Sequence, residues 1–458
     1  MYLVVQLIKY LLILMISAYV FYSFRTFRSR KKEQQESDYR LLTLFIFAIH
    51  FTGHFALYIQ GFSDKVLVLY GVEVFLFILI LGFYQAFYRR LSKLLLRNML
   101  LLLAIGFIVL ARLSFDKAVR QVAFVALAAA ICIFVPVIIR RVGYLRKFGW
   151  VYGIAGILMM TVVLFMGTTK YGATNWLNIA GFSFQPSELV KLLFVLCIAS
   201  MFIKGTDLKR VIFVTVMAGA MVLILVLQKD LGGALIFFVT YIFMLYSATA
   251  KPVYLLSGLA GGSLAAMVAY RLFDHVKVRV MAWRSPFTYI DKEGYQISQS
   301  LFAIGTGGWF GMGLKRGLPT SIPVVDSDFV FAAIAEELGG LFAICIMLVY
   351  MNCFIVMVNI SLKLEDMFYR LVAAGFSVMF GFQVFLSVGG VIKMIPSTGV
   401  TLPLISSGGS SVFATILMFM VIQGVYLKGY AIRKEAEEEH MEMKEIEVPM
   451  ETEVKEEQ

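Results

Sequence analysis

The chain has 458 residues, of which 60% are hydrophobic and only 15% charged, and its mean hydropathy is +0.85. A soluble protein would be nearer ~45–50% apolar, so a water-soluble globular fold is excluded; the chain must cross a bilayer repeatedly, as helices that satisfy their own backbone hydrogen bonds. The net charge of +12 is unevenly spread, with three Lys against eleven Glu from Lys434 to Gln458 and +20 on the rest, an excess suited to anionic lipids and lipid phosphates rather than nucleic acid, since no basic run is interleaved with aromatics.

The first apolar run, Val4 to Phe24, lacks a basic leader and a small-residue cleavage site and precedes Arg25, Arg28, Arg30, Lys31 and Lys32. It therefore reads as a retained span that starts outside. Two more runs, Leu41 to Ile59 and Val66 to Phe87, end at Arg89, Arg90, Lys93 and Arg97. His50 and His54 share a helix face in this region while Glu73 stands isolated in the sequence, so the pair suits packing better than a metal site.

Ten further spans are predicted near Met99–Leu113, Val122–Ile139, Trp150–Met166, Leu189–Ile203, Val211–Leu227, Gly232–Ala248, Val253–Tyr270, Phe329–Val358, Leu371–Val388 and Val412–Tyr426, each near the length a bilayer requires. Basic residues at Arg140–Lys147, Lys204–Arg210, Lys251, Lys363–Arg370 and Lys428–Lys434 all fall on one side, which the positive-inside rule makes cytoplasmic. Residues 170–187, 271–327 and 389–411 then face outward. All four Cys lie inside apolar runs without metal spacing and read as small core residues. The Glu-rich stretch 434–458 has no apolar stripe and reads as a disordered cytoplasmic tail.

Four constellations carry candidate chemistry. Asp326-Ser327-Asp328 precedes a strongly apolar helix, so Asp328 is either a reactive carboxylate where water meets hydrocarbon or a helix cap. Glu336 and Glu337 should lie roughly 12 Å deeper at 1.5 Å per residue, paired with bases such as Lys191 or Lys393. Gln185-Pro186-Ser187-Glu188 opens a span, and Glu188 shares a face with Lys191, as a cavity pair or a structural ion pair. Residues 393–403 carry Pro396 and Pro403 at membrane depth and are followed by Ser406-Ser407-Gly408-Gly409-Ser410-Ser411, which implies a re-entrant segment lining an outward cavity. The long loop bears Arg279, Lys315 and Arg316 and the glycines Gly305, Gly307, Gly308, Gly311 and Gly313, where backbone can approach a ligand or another chain. Gln228-Lys229-Asp230 reads as a structural turn.

From about Asn98 to Lys428 the chain resembles the SEDS family of shape, elongation, division and sporulation proteins, the RodA, FtsW and SpoVE group. The resemblance rests on Trp176, Gln185-Pro186-Ser187-Glu188 with Lys191, Gln228 with Asp230-Leu231-Gly232, Tyr295-Gln296 with Gln299-Ser300, Gly307-Gly308 with Gly311 and Gly313, Asp328-Phe329 with Glu336-Glu337-Leu338-Gly339, and Pro396, Thr398-Gly399, Pro403 and Gly408-Gly409-Ser410-Ser411. It implies an all-α polytopic membrane protein with a ten-helix core at 91–433, about three extra N-terminal transmembrane helices at 1–90, and a large outer loop between core helices 7 and 8. It also implies an inverting peptidoglycan glycosyltransferase of the bacterial cell membrane, joining lipid II units into a growing glycan strand beside a class B penicillin-binding protein, with release of undecaprenyl diphosphate.

On that resemblance Asp328 is the catalytic residue and Trp176, Glu188, Lys191 and Ser410 bind substrate; Lys393, at the head of the re-entrant segment, is a further substrate-binding candidate. Arg279, Lys315 and Arg316 are the candidates for holding the diphosphate, with a divalent cation, Mg or Mn, as a conceivable helper and no metal site in the protein itself. The N-terminus is expected outside and the C-terminus in the cytoplasm. The family often has His-Thr where Asp326-Ser327 stand here, Pro at Lys229, Arg at Asn175, Asn at Ser387 and Tyr at Ser407. A lipid II transporter, or a membrane scaffold for the transpeptidase, is the rival reading.

Overall fold

The computed structural model describes the backbone of residues 2–456 except 62, 171–172 and 180–181, and the side chains of these except 2–3, 170, 179, 182 and 433–456. Three helices come first: α1 (Tyr2–Arg28), α2 (Lys32–Ile59) and α3 (Lys65–Phe87). They are followed by α4 (Lys93–Leu113), α5 (Phe115–Cys132), α6 (Val135–Arg141), α7 (Gly149–Met166), α8 (Pro186–Phe202), α9 (Leu208–Leu227), α10 (Leu231–Thr249) and α11 (Pro252–Leu272). After the short helices α12 (Asp274–Arg284), α13 (Tyr295–Gly307) and α14 (Val330–Leu338) come α15 (Gly340–Leu362), α16 (Met367–Val391) and α17 (Gly409–Glu456). Twelve of the crossings are long and apolar enough to span a membrane, and α8, at 17 residues, falls just short of that length. Together they match the thirteen predicted spans. In backbone α17 continues to Glu456, through the stretch for which disorder is expected; its side chains from 433 onward lie outside the described residues.

The three N-terminal helices are packed onto the rest of the bundle. α1 lies against α2 and α15, and α2 against α4, so every residue of α4 from Leu94 to Ala111 is buried. Polar groups are matched across this seam. Asn98 accepts from the Tyr19 hydroxyl at 2.9 Å and donates to Asn352 Oδ1 at 2.7 Å, and Arg97 Nε donates to the Tyr39 carbonyl and Thr43 Oγ1, both at 2.9 Å. Such groups are costly in hydrocarbon unless paired.

The structure departs from the expected span boundaries in three places. Pro136, in the first turn of α6, separates α5 from α6 where one continuous span is expected, because its ring leaves no N–H for the preceding turn. Residues 168–184 form an antiparallel meander of β1 (Thr168–Lys170), β2 (Ala173–Ile179) and β3 (Phe182–Phe184), a small β element in a fold expected to be all-α. Most consequentially, the predicted span Phe329–Val358 is broken at Gly339, whose φ is +93°.

That break explains the glycines of the long loop. Met312 and Gly313 donate their N–H groups to the carbonyls of Glu336 and Glu337 at 2.9 and 2.8 Å, satisfying acceptors that the end of α14 leaves open. A Cβ on Gly311 would lie 2.5 Å from the Glu337 carbonyl oxygen. The close approach anticipated for this loop is therefore to its own chain. Glu336 and Glu337 consequently do not pair with Lys191 or Lys393: Glu337 forms an ion pair with Arg112 of α4 at 2.9 Å, and Glu336 accepts from the Leu318 N–H at 2.9 Å.

Candidate functional site

One end of the bundle holds a cavity of about 970 Å³. Its walls come from elements far apart in sequence: the first turns of α5, the β-meander, the α9–α10 turn, α12, the start of α13, residues 324–328 and the irregular segment 397–411. Four basic side chains line it, Lys117, Arg120, Lys229 and Arg279, together with four carboxylates, Asp230, Glu293, Asp326 and Asp328.

Backbone hydrogen bonds fix the Asp328 segment. The Asp328 N–H donates to the Val324 carbonyl at 3.2 Å, the Ser407 N–H to the Asp326 carbonyl at 2.8 Å, and the Ser406 hydroxyl to the Ser327 carbonyl. Asp328 is not a helix cap, since α14 starts from Phe329 with no side-chain cap bond. Asp326 is held by Lys117 at 2.7 Å. Asp230 caps α10 through the Gly233 N–H at 2.8 Å and accepts from Asn175 Nδ2 at 2.8 Å. Among the described residues Asp328 makes neither ion pair nor cap.

Space is kept open in front of the Asp328 carboxylate. Gly399 has φ +69°, and a Cβ built there would stand 3.4 Å from Asp328 Oδ2. Burial raises the carboxyl's pKa above the ordinary aspartate value; the Ser327 hydroxyl and the Arg279 charge oppose this, while Asp326 and Asp230 reinforce it. Burial thus leaves a more basic carboxylate than an exposed aspartate carries. Across the cavity Arg279 is oriented by its Nη1 donating to the Ser397 carbonyl at 3.0 Å.

The anticipated residues separate into three groups. Asp328, Arg279, Trp176 and Ser410 line the cavity, and the Ser410 hydroxyl also accepts from the Gln185 N–H at 3.1 Å. Glu188 and Lys191 do not line it. They form a buried ion pair at 2.7 Å, and Lys191 reaches Gln383 Oε1 at 3.2 Å. Gln383 in turn donates to the Thr401 carbonyl at 3.2 Å, so the pair buttresses the irregular segment from below.

Lys315, Arg316 and Lys393 do not line the cavity either. Lys315 donates to the Gln60 carbonyl at 2.6 Å, between the N-terminal helices and the long loop, and the Lys393 carbonyl accepts from Trp283 Nε1 at 3.0 Å. Of the four basic residues that line the cavity, Arg279 belongs to the sequence-based set and Lys117, Arg120 and Lys229 do not. A signal existed: on the predicted topology all three sit at outer span ends, where the charge bias leaves basic residues unexpected. A divalent cation fits the cavity poorly as a protein-held group, because two of its carboxylates are already committed and no three of them converge. Among the described residues the only such cluster is His50, His54 and Glu73, far from the cavity in sequence.

Fold and site together define a polytopic membrane protein that encloses a charged cavity at one end of its bundle, with a partly desolvated carboxylate that makes neither ion pair nor cap among the described residues and faces basic side chains. The family model of the FtsW, RodA and SpoVE cell cycle proteins matches residues 93–429. The chain belongs to this family. It is 33% identical over 297 residues to "Peptidoglycan glycosyltransferase RodA" of Mycobacterium tuberculosis (strain ATCC 25618 / H37Rv), the match covering 61% of this chain and 63% of that relative. It is 30% identical over 322 residues to the protein of the same name from Mycobacterium leprae (strain TN), covering 67% and 69%. In three dimensions it is similar to the Thermus thermophilus rod shape determining protein RodA, with TM-score 0.56, 26% identity, and 74% of this chain and 97% of that one covered. It is also similar to a chain from a peptidoglycan synthase complex described as coordinating polymerization and crosslinking, with TM-score 0.63, 25% identity and coverages of 74% and 99%. The matched region thus spans less than two thirds of the tuberculosis relative, and residues 1–92 precede the family match.

Proposed function

We propose that this chain is a peptidoglycan glycosyltransferase that polymerises lipid II, with Asp328 as general base. The observation that carries the proposal is the position of Asp328: a carboxylate of raised basicity without an ion pair, backbone-clamped, facing a cavity of about 970 Å³ lined with basic side chains able to hold a diphosphate. The acceptor GlcNAc O4 attacks C1 of the donor MurNAc, its proton passes to Asp328, and the bond from C1 to the phosphate oxygen breaks. The electron pair leaves on undecaprenyl diphosphate, and the anomeric configuration inverts. A placed general base contributes about 10²–10⁴ in rate. Arg279, Arg120, Lys117 and Lys229 supply positive charge where the leaving group develops its own, and Trp176 and Ser410 lie on the substrate wall.

The cavity end is outside the cell on this reading, with the N-terminus outside and the C-terminus cytoplasmic, so lipid II is met on the surface where glycan is built. The partner is a class B penicillin-binding transpeptidase, consistent with the likeness to a synthase-complex chain. Purified protein incubated with labelled lipid II and its transpeptidase tests the proposal: polymer should form and Asp328→Asn should abolish it. Movement of unpolymerised lipid II across vesicles that survives Asp328→Asn would establish the transporter instead. Partner binding without polymer at any stage would establish the scaffold.

A further inference from the structure

The N-terminal helices contain a cluster that the cavity chemistry does not use. His50 and His54 are one turn apart on α2, and Glu73, isolated in the sequence, is brought against both of them from α3. His50 and Glu73 are fully buried and His54 is 1% exposed. Both Nε2 atoms address the same carboxylate oxygen, Glu73 Oε2, at 2.7 Å from His50 and 3.1 Å from His54.

The protonation pattern of this trio is constrained. His54 Nδ1 lies 3.1 Å from the His50 carbonyl oxygen, which can only accept, so that nitrogen carries a hydrogen. A neutral His54 then leaves its Nε2 lone pair 3.1 Å from a carboxylate oxygen, without the alignment of a hydrogen bond. Two acceptors in that position require a cation, either an extra proton or a metal ion. The carbonyl-anchored Nδ1–H is also the outer-shell contact that fixes a metal-binding histidine in its Nε2-ligating form.

A second, independent observation favours the metal. Glu73 Oε1 is buried with no hydrogen-bond partner, and it provides the fourth donor if the carboxylate binds through both oxygens. Two imidazoles and a carboxylate suit zinc-class dications. The surroundings are aromatic, with the Tyr70 ring 5.1 Å from His50 and 5.5 Å from His54, and the Phe77 ring 5.3 Å from His50.

We infer that His50, His54 and Glu73 form a binding site for one zinc-class divalent ion, joining α2 to α3. The ligands lie roughly 8–14 Å in from the helix ends that meet at the 60–64 turn, at 1.5 Å per residue, which makes that turn the side of entry. A bound ion would fasten α3, which packs against α2 and α5, to the rest of the N-terminal helices.

The test uses the full chain, purified, stripped with a chelator, loaded with Zn²⁺ or Co²⁺ and freed of unbound metal by gel filtration. One equivalent of Zn²⁺ per chain by elemental analysis, visible Co²⁺ ligand-field bands and a Zn²⁺-dependent rise in unfolding temperature are expected. Glu73→Gln and His54→Ala should lose all three, whereas Asp328→Asn should keep them. Wild-type protein that retains no Zn²⁺, shows no Co²⁺ bands and has an unchanged unfolding temperature would overturn the inference and leave a proton-bridged trio. So would equal retention by wild type and Glu73→Gln, the mark of an adventitious ion only. Should both variants fail to fold, the wild-type Co²⁺ spectrum and thermal shift decide the matter alone.

Discussion

Asp328 is a carboxylate whose folded environment works against its charge. Because burial raises its folded pKa above the unfolded value, its protonated form is favoured in the folded protein, and the stability this contributes is present below the unfolded pKa and lost as pH rises through the folded one. At neutral pH the ionised group is therefore held at a cost. Asp328→Asn should leave the unfolding temperature at pH 7 unchanged or raised while polymerisation is lost, the two readouts being differential scanning fluorimetry and gel analysis of glycan products. The sign for activity is the reverse, since the base must be ionised. The acidic limb of the wild-type rate profile should lie above the ordinary aspartate value of 3.8. A limb at or below that value would rule out the raised basicity. Motif and resemblance made Asp328, Trp176 and Ser410 legible, and the basic charge of the outer loop did the same for Arg279. Lys117, Arg120 and Lys229 are legible only as basic residues on the side where the charge bias leaves them unexpected; that they share one cavity emerges when its walls are assembled from distant segments.

The short helix α14 shows how far an apolar pattern can mislead. Apolar residues run from Phe329 into α15 on both sides of Glu336-Glu337, and the cues to the break are that acidic pair and Gly339-Gly340, which a long span could equally contain. The break keeps α14 at the cavity end, where the 311–313 loop closes its last carbonyls and Arg112 pairs with Glu337 at 2.9 Å. Gly311 has φ +76° and stands against the Glu337 carbonyl. Gly311→Ala should therefore cost on the order of 1–3 kcal/mol in backbone strain alone and loosen the helix that follows Asp328. The checks are a lower unfolding temperature and reduced polymer yield. A wild-type melt with full activity would show that the loop tolerates a side chain there. His50, His54 and Glu73 illustrate the opposite failure. The signal lay in hairpin register: His54 is five residues from the end of α2 and Glu73 eight past the start of α3, so antiparallel packing puts them at similar depths.

At the scale of the whole molecule, the thirteen crossings and the separation of three N-terminal helices were readable from hydropathy and charge, but their packing was not. The N-terminal helices cover α4 and hold its polar residues: Arg97 is bonded to the Tyr39 carbonyl and Thr43, and Asn98 to Tyr19. A chain beginning at Lys93 would leave Arg97, in the second turn of α4, without those partners. The truncated chain should be extracted in lower yield and melt earlier than the full chain, and Arg97→Leu should restore part of the loss in the truncated background while destabilising the intact protein. If truncation leaves the melt unchanged, the covering helices carry no stabilising role. These helices also touch the long loop, Lys9 donating to the Gly311 carbonyl at 2.9 Å and Lys315 to that of Gln60 at 2.6 Å, so their removal should be felt at α14 as well.

The clasp on residues 326–328 is made to main-chain oxygens, those of Asp326 and Ser327. Carbonyls are supplied by any residue, so the identities of the side chains just before Asp328 can drift during evolution without moving the reacting group. The clasp thus places no demand on which side chains stand at 326 and 327, and the rim of the chamber can vary while the backbone it hangs from keeps its shape.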